Sequence, residues 1–236
     1  MNHKWRGEAH IFYHKTFEMK RSPRNGTEDD RDKLVLTFQN LDFNVKCHND
    51  LSLSEIEGIL RDVAARDHTD CDCLVVAVLT HCGLDKLLVA RDEEYDISTL
   101  LNPFIGSRCR GLATKPKLFF IQTCKGEYGD LQGRGPRRGD SIDGVPDLAP
   151  LKTYQVPSHA DILIWYAPFD EQYDRTRYKE PSCVRCLHSV FAKRDTSLHL
   201  VSLLTDVTRQ FGELGYRRGE RVPCFTTSLT RLLYFP

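Results

Sequence analysis

Two continuous runs of apolar residues constrain the fold of this chain more than any other feature. They span Cys73–Thr80 (CLVVAVLT) and Lys117–Gln122 (KLFFIQ). Continuous apolar runs, as opposed to alternating ones, are typical of strands in a central sheet that is buried on both faces. Between them lie stretches such as Ser54–Arg66, in which apolar residues recur every three or four positions. This alternation of strands and helices predicts an α/β fold.

The same patterns predict about six strands and five helices, and therefore a central sheet flanked by helices on both faces. The predicted strands are Ala9–Tyr13, Phe43–His48, Cys73–Thr80, Lys117–Gln122, Ala160–Tyr166 and Pro223–Phe235. The predicted helices are Asp29–Asn40, Ser54–Arg66, Ile97–Phe104, Ser182–Lys193 and Ser197–Phe211, with Ser52 or Ser54 as the N-cap of the second.

Composition excludes several classes of function. The 33 Lys and Arg residues are balanced by 33 Asp and Glu residues, and nucleic-acid binding usually needs a basic excess. No apolar run reaches the roughly 18 to 20 residues that cross a bilayer, and the polar start, Met1–Gly7, does not resemble a signal peptide. Nine scattered cysteines favour free thiols in a reducing compartment. We therefore expect a cytoplasmic protein that contacts neither nucleic acid nor membrane.

A change of composition divides the chain. Residues 125–157 contain six Gly and four Pro and have almost no apolar periodicity, which predicts a long connecting loop. Loops longer than about 12 to 15 residues are usually functional. The expected organisation is one domain made of a large region (1–126), a linker (127–157) and a small region (158–236).

Two predicted strands end in residues that suggest chemistry. His81 follows the first apolar run and Cys124 closely follows the second. Sites in open α/β sheets form beyond the carboxyl ends of the strands, where a thiol and an imidazole could face each other as in a cysteine hydrolase. Nine Cys and nine His also give many chance pairs, so a buried thiol beside a surface histidine remains an alternative.

Several short motifs resemble the caspase family. Gln122-Thr123-Cys124-Lys125-Gly126 is similar to the caspase pentapeptide Gln-Ala-Cys-Arg-Gly, and His81, 43 residues upstream, lies in a stretch similar to Ser-His-Gly. Further matches lie at both ends of the chain: Arg24-Asn25-Gly26-Thr27, Ala160-Asp161-Ile162-Leu163, Arg221-Val222-Pro223-Cys224 and Leu233-Tyr234-Phe235. The resemblance runs from about Gly7 to Phe235, and the short leading segment favours the effector type with a short prodomain.

The resemblance implies a role for each matching residue. Cys124 would be the nucleophile and His81 the general acid and base. The oxyanion hole would use the amides of Cys124 and of the residue after His81, which is Cys82, or Gly83 if Cys82 is an insertion. Arg24 and Gln122 would line the pocket for a substrate aspartate. The resemblance also implies the caspase-like fold, in which the central sheet of about six strands is mixed, and it implies no metal and no cofactor.

The sequence departs from the family pattern at the site. The family's Tyr-Ser-Trp-Arg, which carries a second pocket arginine, corresponds here to Tyr173-Asp174-Arg175-Thr176, so Thr176 occupies the arginine position. A shift of one residue would let Arg175 or Arg177 replace it. Cys82 also stands where the family has glycine, which tolerates backbone conformations that a Cβ obstructs. Thr123 and Lys125 are milder changes.

The predicted linker contains candidate processing sites. Effector caspases are cleaved after an aspartate between the two subunits, and Asp140, Asp143 and Asp147 are candidates here. Asp143 is preferred because Gly144 follows it in a Gly- and Pro-rich loop. The alternative is that these aspartates are merely solvated.

These features favour a regulatory caspase homologue over an ordinary protease. It would be impaired toward P1 aspartate and would assist, decoy or titrate an active paralogous caspase. It would form a heterodimer with that paralogue, or a homodimer, through the C-terminal strand; inhibitor-of-apoptosis proteins are further possible partners. The alternative is an active aspartate-specific endopeptidase that executes apoptosis.

A metal site at His68, Cys71 and Cys73, or at Cys183 and Cys186, is set aside because these cysteines suit apolar packing.

Overall fold

The computed structural model describes residues 3–83, 87–124, 159–169, 182–193, 195–213 and 222–236. Its strands are β1 (Glu8–Tyr13), β2 (Asn44–Asn49), β3 (Leu74–Thr80), β4 (Leu88–Val89), β5 (Glu94–Tyr95), β6 (Lys117–Cys124), β7 (Ile162–Phe169) and β8 (Cys224–Thr227). Its helices are α1 (Thr27–Asn40), α2 (Leu53–Ala64), α3 (Ser98–Leu101), α4 (Cys183–Phe191) and α5 (Leu200–Glu213), with 3₁₀ turns at Asn102–Phe104 and Gly106–Leu112.

Six strands form the main sheet in the order β2-β1-β3-β6-β7-β8. All neighbours are parallel except β7 and β8, which are antiparallel. Strands β4 and β5 form a separate antiparallel pair. The expected mixed six-stranded sheet is therefore confirmed.

Helices cover both faces of this sheet, as predicted. All seven residues of β3 are buried, and its six apolar residues alternate between two cores. Val75 packs in the core beneath α1, α4 and α5, whereas Val76 packs in the core beneath α2 and the short helices around α3. This two-sided burial explains why the sequence of β3 is continuously apolar.

Side-chain caps fix the starts of two helices. Ser52, rather than Ser54, caps α2: its hydroxyl accepts from the Glu55 amide at 3.3 Å, and its own amide donates to the Glu55 carboxylate at 2.8 Å. This capping box satisfies two amides that the helix itself cannot pair. The Ser182 hydroxyl caps α4 by accepting from the Arg185 amide at 3.2 Å, and it also donates to Asp30 of α1 at 2.8 Å.

The predicted terminal strand Pro223–Phe235 is wrong beyond Thr227. Strand β8 has only four residues, because Asp161, at a φ of 59°, accepts from the amide and the hydroxyl of Thr230 and turns the chain off the sheet. Leu233 and Phe235 then pack into the core instead of continuing an edge.

Two helix predictions also need correction. The helix predicted from Ser197 begins at Leu200, because the Ser197 amide donates to the Asp195 side chain in a preceding turn. The helix predicted over Ile97–Phe104 is one short α-helical turn that continues as a 3₁₀ turn containing Pro103.

Candidate active site

The carboxyl ends of β3 and β6 lie side by side. Their parallel register pairs Thr80 with Thr123, so the next residues along the two strands are His81 and Cys124. Cys124 is the last residue of β6, and His81 directly follows β3. The structure therefore brings the two backbone positions together at one edge of the sheet, where parallel strands place their sites.

A backbone carbonyl orients the imidazole of His81. Its Nε2 lies 2.8 Å from the carbonyl oxygen of Ser22. Because a carbonyl can only accept, Nε2 carries the proton, and in the neutral ring the lone pair is on Nδ1. The ring of Phe17 lies 4.7 Å away, and the histidine is buried. This hydrogen bond thus orients the ring and makes Nδ1 the accepting nitrogen of its neutral form.

Arg24 and Gln122 meet in the protein interior. Both are 1% exposed, and the Arg24 guanidinium donates from Nη2 to Gln122 Oε1 at 2.8 Å. Nη1 of the same guanidinium donates to the hydroxyl of Thr27 at the start of α1. The Arg24 amide donates to the Lys15 carbonyl at 2.9 Å. A buried guanidinium that is fixed by two side chains is a preorganised binding group for a carboxylate.

The segment after His81 is held by a network that the sequence did not suggest. Cys82 forms an isolated antiparallel bridge with Leu88, and the Gly83 amide donates to the Leu87 carbonyl at 2.7 Å. Arg21 donates from Nη1 to the Cys82 carbonyl at 3.2 Å and forms an ion pair with Glu94 through Nη2.

No sequence signal marks Arg21 or Glu94, because their meeting depends on the β4–β5 hairpin. Ser22 was missed for a related reason: it acts through its backbone carbonyl, and any residue type could supply that group.

Several predicted site residues lie outside the described residues. Tyr173, Arg175, Thr176 and Arg177 fall between β7 and α4, beyond the described part of the chain. The processing candidates Asp140, Asp143 and Asp147 and the whole predicted linker also fall outside it.

The cysteines considered for a metal are part of the packing. Cys73 is buried, and its Sγ lies 3.7 Å from the Arg6 carbonyl; burial raises the pKa of this thiol. Burial raises the pKa of Cys186 in α4 to about 11. Near Cys71, the ring of His68 uses Nε2 on the Val63 carbonyl at 2.8 Å. In the described ranges, no group of three or more His, Cys, Asp or Glu side chains could hold a metal ion.

The sequence is similar to that of known caspases. The family model for the caspase domain matches residues 6–234. The chain is 33% identical to Caspase-6 of Mus musculus over 253 residues, covering 100% of this chain and 90% of that protein. It is 35% identical to Caspase-1 of Spodoptera frugiperda over 246 residues, covering 100% of this chain and 80% of that protein.

The fold agrees with these matches. The crystal structure of Caspase-1 from Spodoptera frugiperda superposes with a TM-score of 0.79 at 34% identity, covering 100% of this chain and 91% of that one. A structure of pro-sf-caspase-1 gives a TM-score of 0.76 at 34% identity, covering 100% and 92%.

Proposed function

The chain belongs to the caspase family, and within that family we propose that it is a cysteine-protease homologue impaired toward P1 aspartate that regulates an active caspase by dimerising with it. The proposal includes a large region at 1–126, a linker at 127–157 and a small region at 158–236. It also includes a cytoplasmic location. In the described ranges, no helix has the length and apolar character needed to span a membrane.

The proposed chemistry is acyl transfer. The His81 imidazole takes the proton of the Cys124 thiol, and the thiolate attacks the scissile carbonyl, so that the C–S bond forms as the carbonyl oxygen becomes an oxyanion. The imidazolium then gives this proton to the amine as the C–N bond breaks and the acyl-enzyme forms. The neutral imidazole next takes a proton from water, whose attack on the acyl group breaks the C–S bond and releases the acid and the thiol. The hydrogen bond from Nε2 to Ser22 supports this role, because it leaves the basic lone pair on Nδ1.

The proposal of weak binding to a P1 aspartate rests on how many guanidinium groups lie beside Gln122. Among the described residues, the guanidinium found at Gln122 is that of Arg24. It already donates to the side chains of both Gln122 and Thr27. The sequence places Thr176, which has no charge, where the family has its second arginine. Losing one charge-assisted hydrogen bond to a carboxylate costs about 1.5 to 3 kcal/mol, roughly a 10- to 150-fold loss of affinity.

The edge of the sheet supports the proposed dimer. Strand β8 lies at the end of the strand order and pairs with β7 on one side. Cys224, Thr226 and Thr227 are exposed, whereas Phe225 packs partly against the core. A short edge strand with unpaired backbone groups can extend its sheet by pairing with the same strand of a second subunit. That subunit would be an active paralogue or a second copy of this chain.

An ordinary aspartate-specific endopeptidase is the second candidate. The ordered His81 and the preformed contact between Arg24 and Gln122 favour it, because both are features of a working site. This candidate requires that Arg175 or Arg177 supply the second guanidinium.

Restoring the missing charge distinguishes the two candidates. We expect Thr176→Arg to raise kcat/KM for a fluorogenic aspartyl peptide by about 10-fold or more. We expect Arg175→Ala and Arg177→Ala to change it less than threefold. If either alanine variant loses 100-fold while Thr176→Arg gains nothing, the impaired-enzyme proposal fails and the endopeptidase is favoured.

Mixing experiments test regulation through β8. Purified chain is titrated into an active effector caspase, and both complex mass and peptide turnover are measured. Thr226→Glu should weaken the complex because it introduces charge at the pairing edge. Thr205→Glu, on the exposed surface of α5, is the matched control. No complex at micromolar concentration, or equal binding by the two variants, would contradict this part of the proposal.

Processing is tested by mass spectrometry after incubation with an active caspase. We expect cleavage after Asp143, with Asp140 and Asp147 as neighbouring sites, and we expect Asp143→Ala to remove the main cut. An inhibitor-of-apoptosis protein is a further candidate partner, and the same mixing assay tests it.

A further inference from the structure

The loop that follows β1 contacts the ends of two strands through three nearby residues. Arg21 binds the carbonyl of Cys82, the carbonyl of Ser22 binds the ring of His81, and Arg24 binds Gln122. All three contacted residues belong to the predicted site. Arg21 itself has no role in the mechanism above, although the residue that it binds directly follows His81.

The peptide plane between Cys82 and Gly83 is held at both ends. Its carbonyl accepts from Arg21 at 3.2 Å, and its amide donates to the carbonyl of Leu87 at 2.7 Å. Rotation of this plane would break both hydrogen bonds at once. The Gly83 amide therefore points toward Leu87, and it would have to leave that bond before it could bind an oxyanion.

Glu94 holds Arg21 in place from the neighbouring hairpin. Its carboxylate forms an ion pair with Arg21 Nη2, and the two side chains are 19% and 25% exposed. A Cβ on Gly83 would overlap the Glu94 carboxylate, so the missing side chain of Gly83 provides the space for this ion pair. A partly buried guanidinium that donates to a carboxylate and a carbonyl has a well-defined orientation.

We infer that Arg21, oriented by Glu94, is a positioning residue: it fixes the Cys82–Gly83 peptide and, through the backbone of Cys82, steadies the preceding peptide, whose Cys82 amide the family resemblance implies as an oxyanion donor. The inference rests on the proposed peptidase chemistry of Cys124 and His81. The Gly83 amide, by contrast, is bonded to the Leu87 carbonyl. Arg21 touches neither substrate nor nucleophile in this account and acts only through the backbone of Cys82.

The first test measures amide hydrogen exchange at Gly83 in the full chain. We expect Arg21→Ala and Glu94→Gln to speed exchange at least tenfold, and Arg21→Lys, which can still pair with Glu94, to keep it within about threefold of wild type. Gly83→Ala should speed exchange at residue 83 as Glu94→Gln does, because its Cβ displaces the same carboxylate. Unchanged exchange in Arg21→Ala overturns the inference.

The second test separates positioning from general stability. We expect Arg21→Ala to lower kcat for an aspartyl peptide by about 10- to 100-fold with KM within twofold of wild type, since one oxyanion donor contributes about 100- to 1,000-fold where it has been removed. Alkylation of Cys124 by iodoacetamide needs no oxyanion hole and should stay within twofold. Arg209→Ala, in an exposed ion pair on α5, is the control.

The two proposals fail in different ways. Faster Gly83 exchange with unchanged kcat overturns the positioning role of Arg21, and so does a rise in KM at constant kcat. Because exchange is measured on the resting protein, it tests Arg21 even if the wild-type chain hydrolyses no peptide. An absence of turnover counts against the peptidase chemistry alone.

Discussion

His14 makes the stability of the fold depend on pH. It follows β1, is fully buried, and neither ring nitrogen has a hydrogen-bond partner within the described ranges. Burial lowers its pKa to about 4; the charges of Asp50 and Asp92 oppose this shift, and those of Arg24 and Arg91 add to it. The folded state therefore keeps the ring neutral at pH values where the unfolded chain binds a proton.

The sign and size of the effect follow from the two pKa values. Because the folded pKa lies below the unfolded value of 6.5, the contribution is present above pH 6.5 and is lost as the pH falls toward 4. Between pH 7.5 and pH 5.0 the relation gives a loss of about 2 kcal/mol in the free energy of unfolding from this residue.

Urea unfolding of wild type and His14→Leu at both pH values measures this loss. Leucine is similar in volume and cannot be protonated, so we expect the variant to gain about 2 kcal/mol relative to wild type between pH 7.5 and pH 5.0. The subtraction removes the contributions of all other titrating groups. His14→Asn, which is polar but does not titrate here, is the second variant if the leucine variant fails to fold. A difference that is the same at both pH values would refute the reasoning.

Three further predictions concern contacts described above. Arg24→Ala should lower kcat/KM for an aspartyl peptide by about 10- to 100-fold, measured by peptide assays. It should also lower the free energy of unfolding by about 1 to 3 kcal/mol, measured by urea unfolding, because Gln122 loses its buried donor. Ser52→Ala should lower the free energy of unfolding by about 1 kcal/mol, seen as a lower urea midpoint, and no change would contradict the cap. Burial by itself raises the pKa of Glu8. The hydrogen bonds to its carboxylate, of which the one from Lys46 is the strongest, outweigh the effect of burial and lower this pKa to about 2. Its stabilisation is thus present above pH 4.5 and lost toward pH 2, so Glu8→Gln should be less stable at pH 7 by about 1 to 2 kcal/mol, and the deficit should shrink in acid.

The fold was largely predictable because burial leaves a strong pattern. The continuous apolar sequence of β3 follows from packing on both faces, and the amphipathic α2 follows from packing on one. The terminal strand was overestimated for a physical reason as well. Its alternating residues suit an edge strand, but the hydrogen bonds from Thr230 to Asp161 divert the chain, and short patterns do not reveal such a turn.

The candidate site was predictable only in part. The rule that parallel strands end at one edge places His81 beside Cys124, and the register agrees with that placement. The contact between Arg24 and Gln122 came from family resemblance, since 98 residues separate them. Arg21 and Glu94 were missed because their ion pair depends on how the short β4–β5 hairpin, whose strands have two residues each, packs beside the loop after β3.

The most direct test of weak aspartate recognition compares two peptide aldehydes that differ only at P1, one with aspartate and one with asparagine. Their inhibition constants report how much positive charge the pocket offers, whether or not turnover is fast. With Arg24 as the main source of that charge, we expect the aspartyl compound to bind no more than about 100-fold tighter. A preference of 10,000-fold or more would mean that a second guanidinium clamps the carboxylate, and would contradict the account.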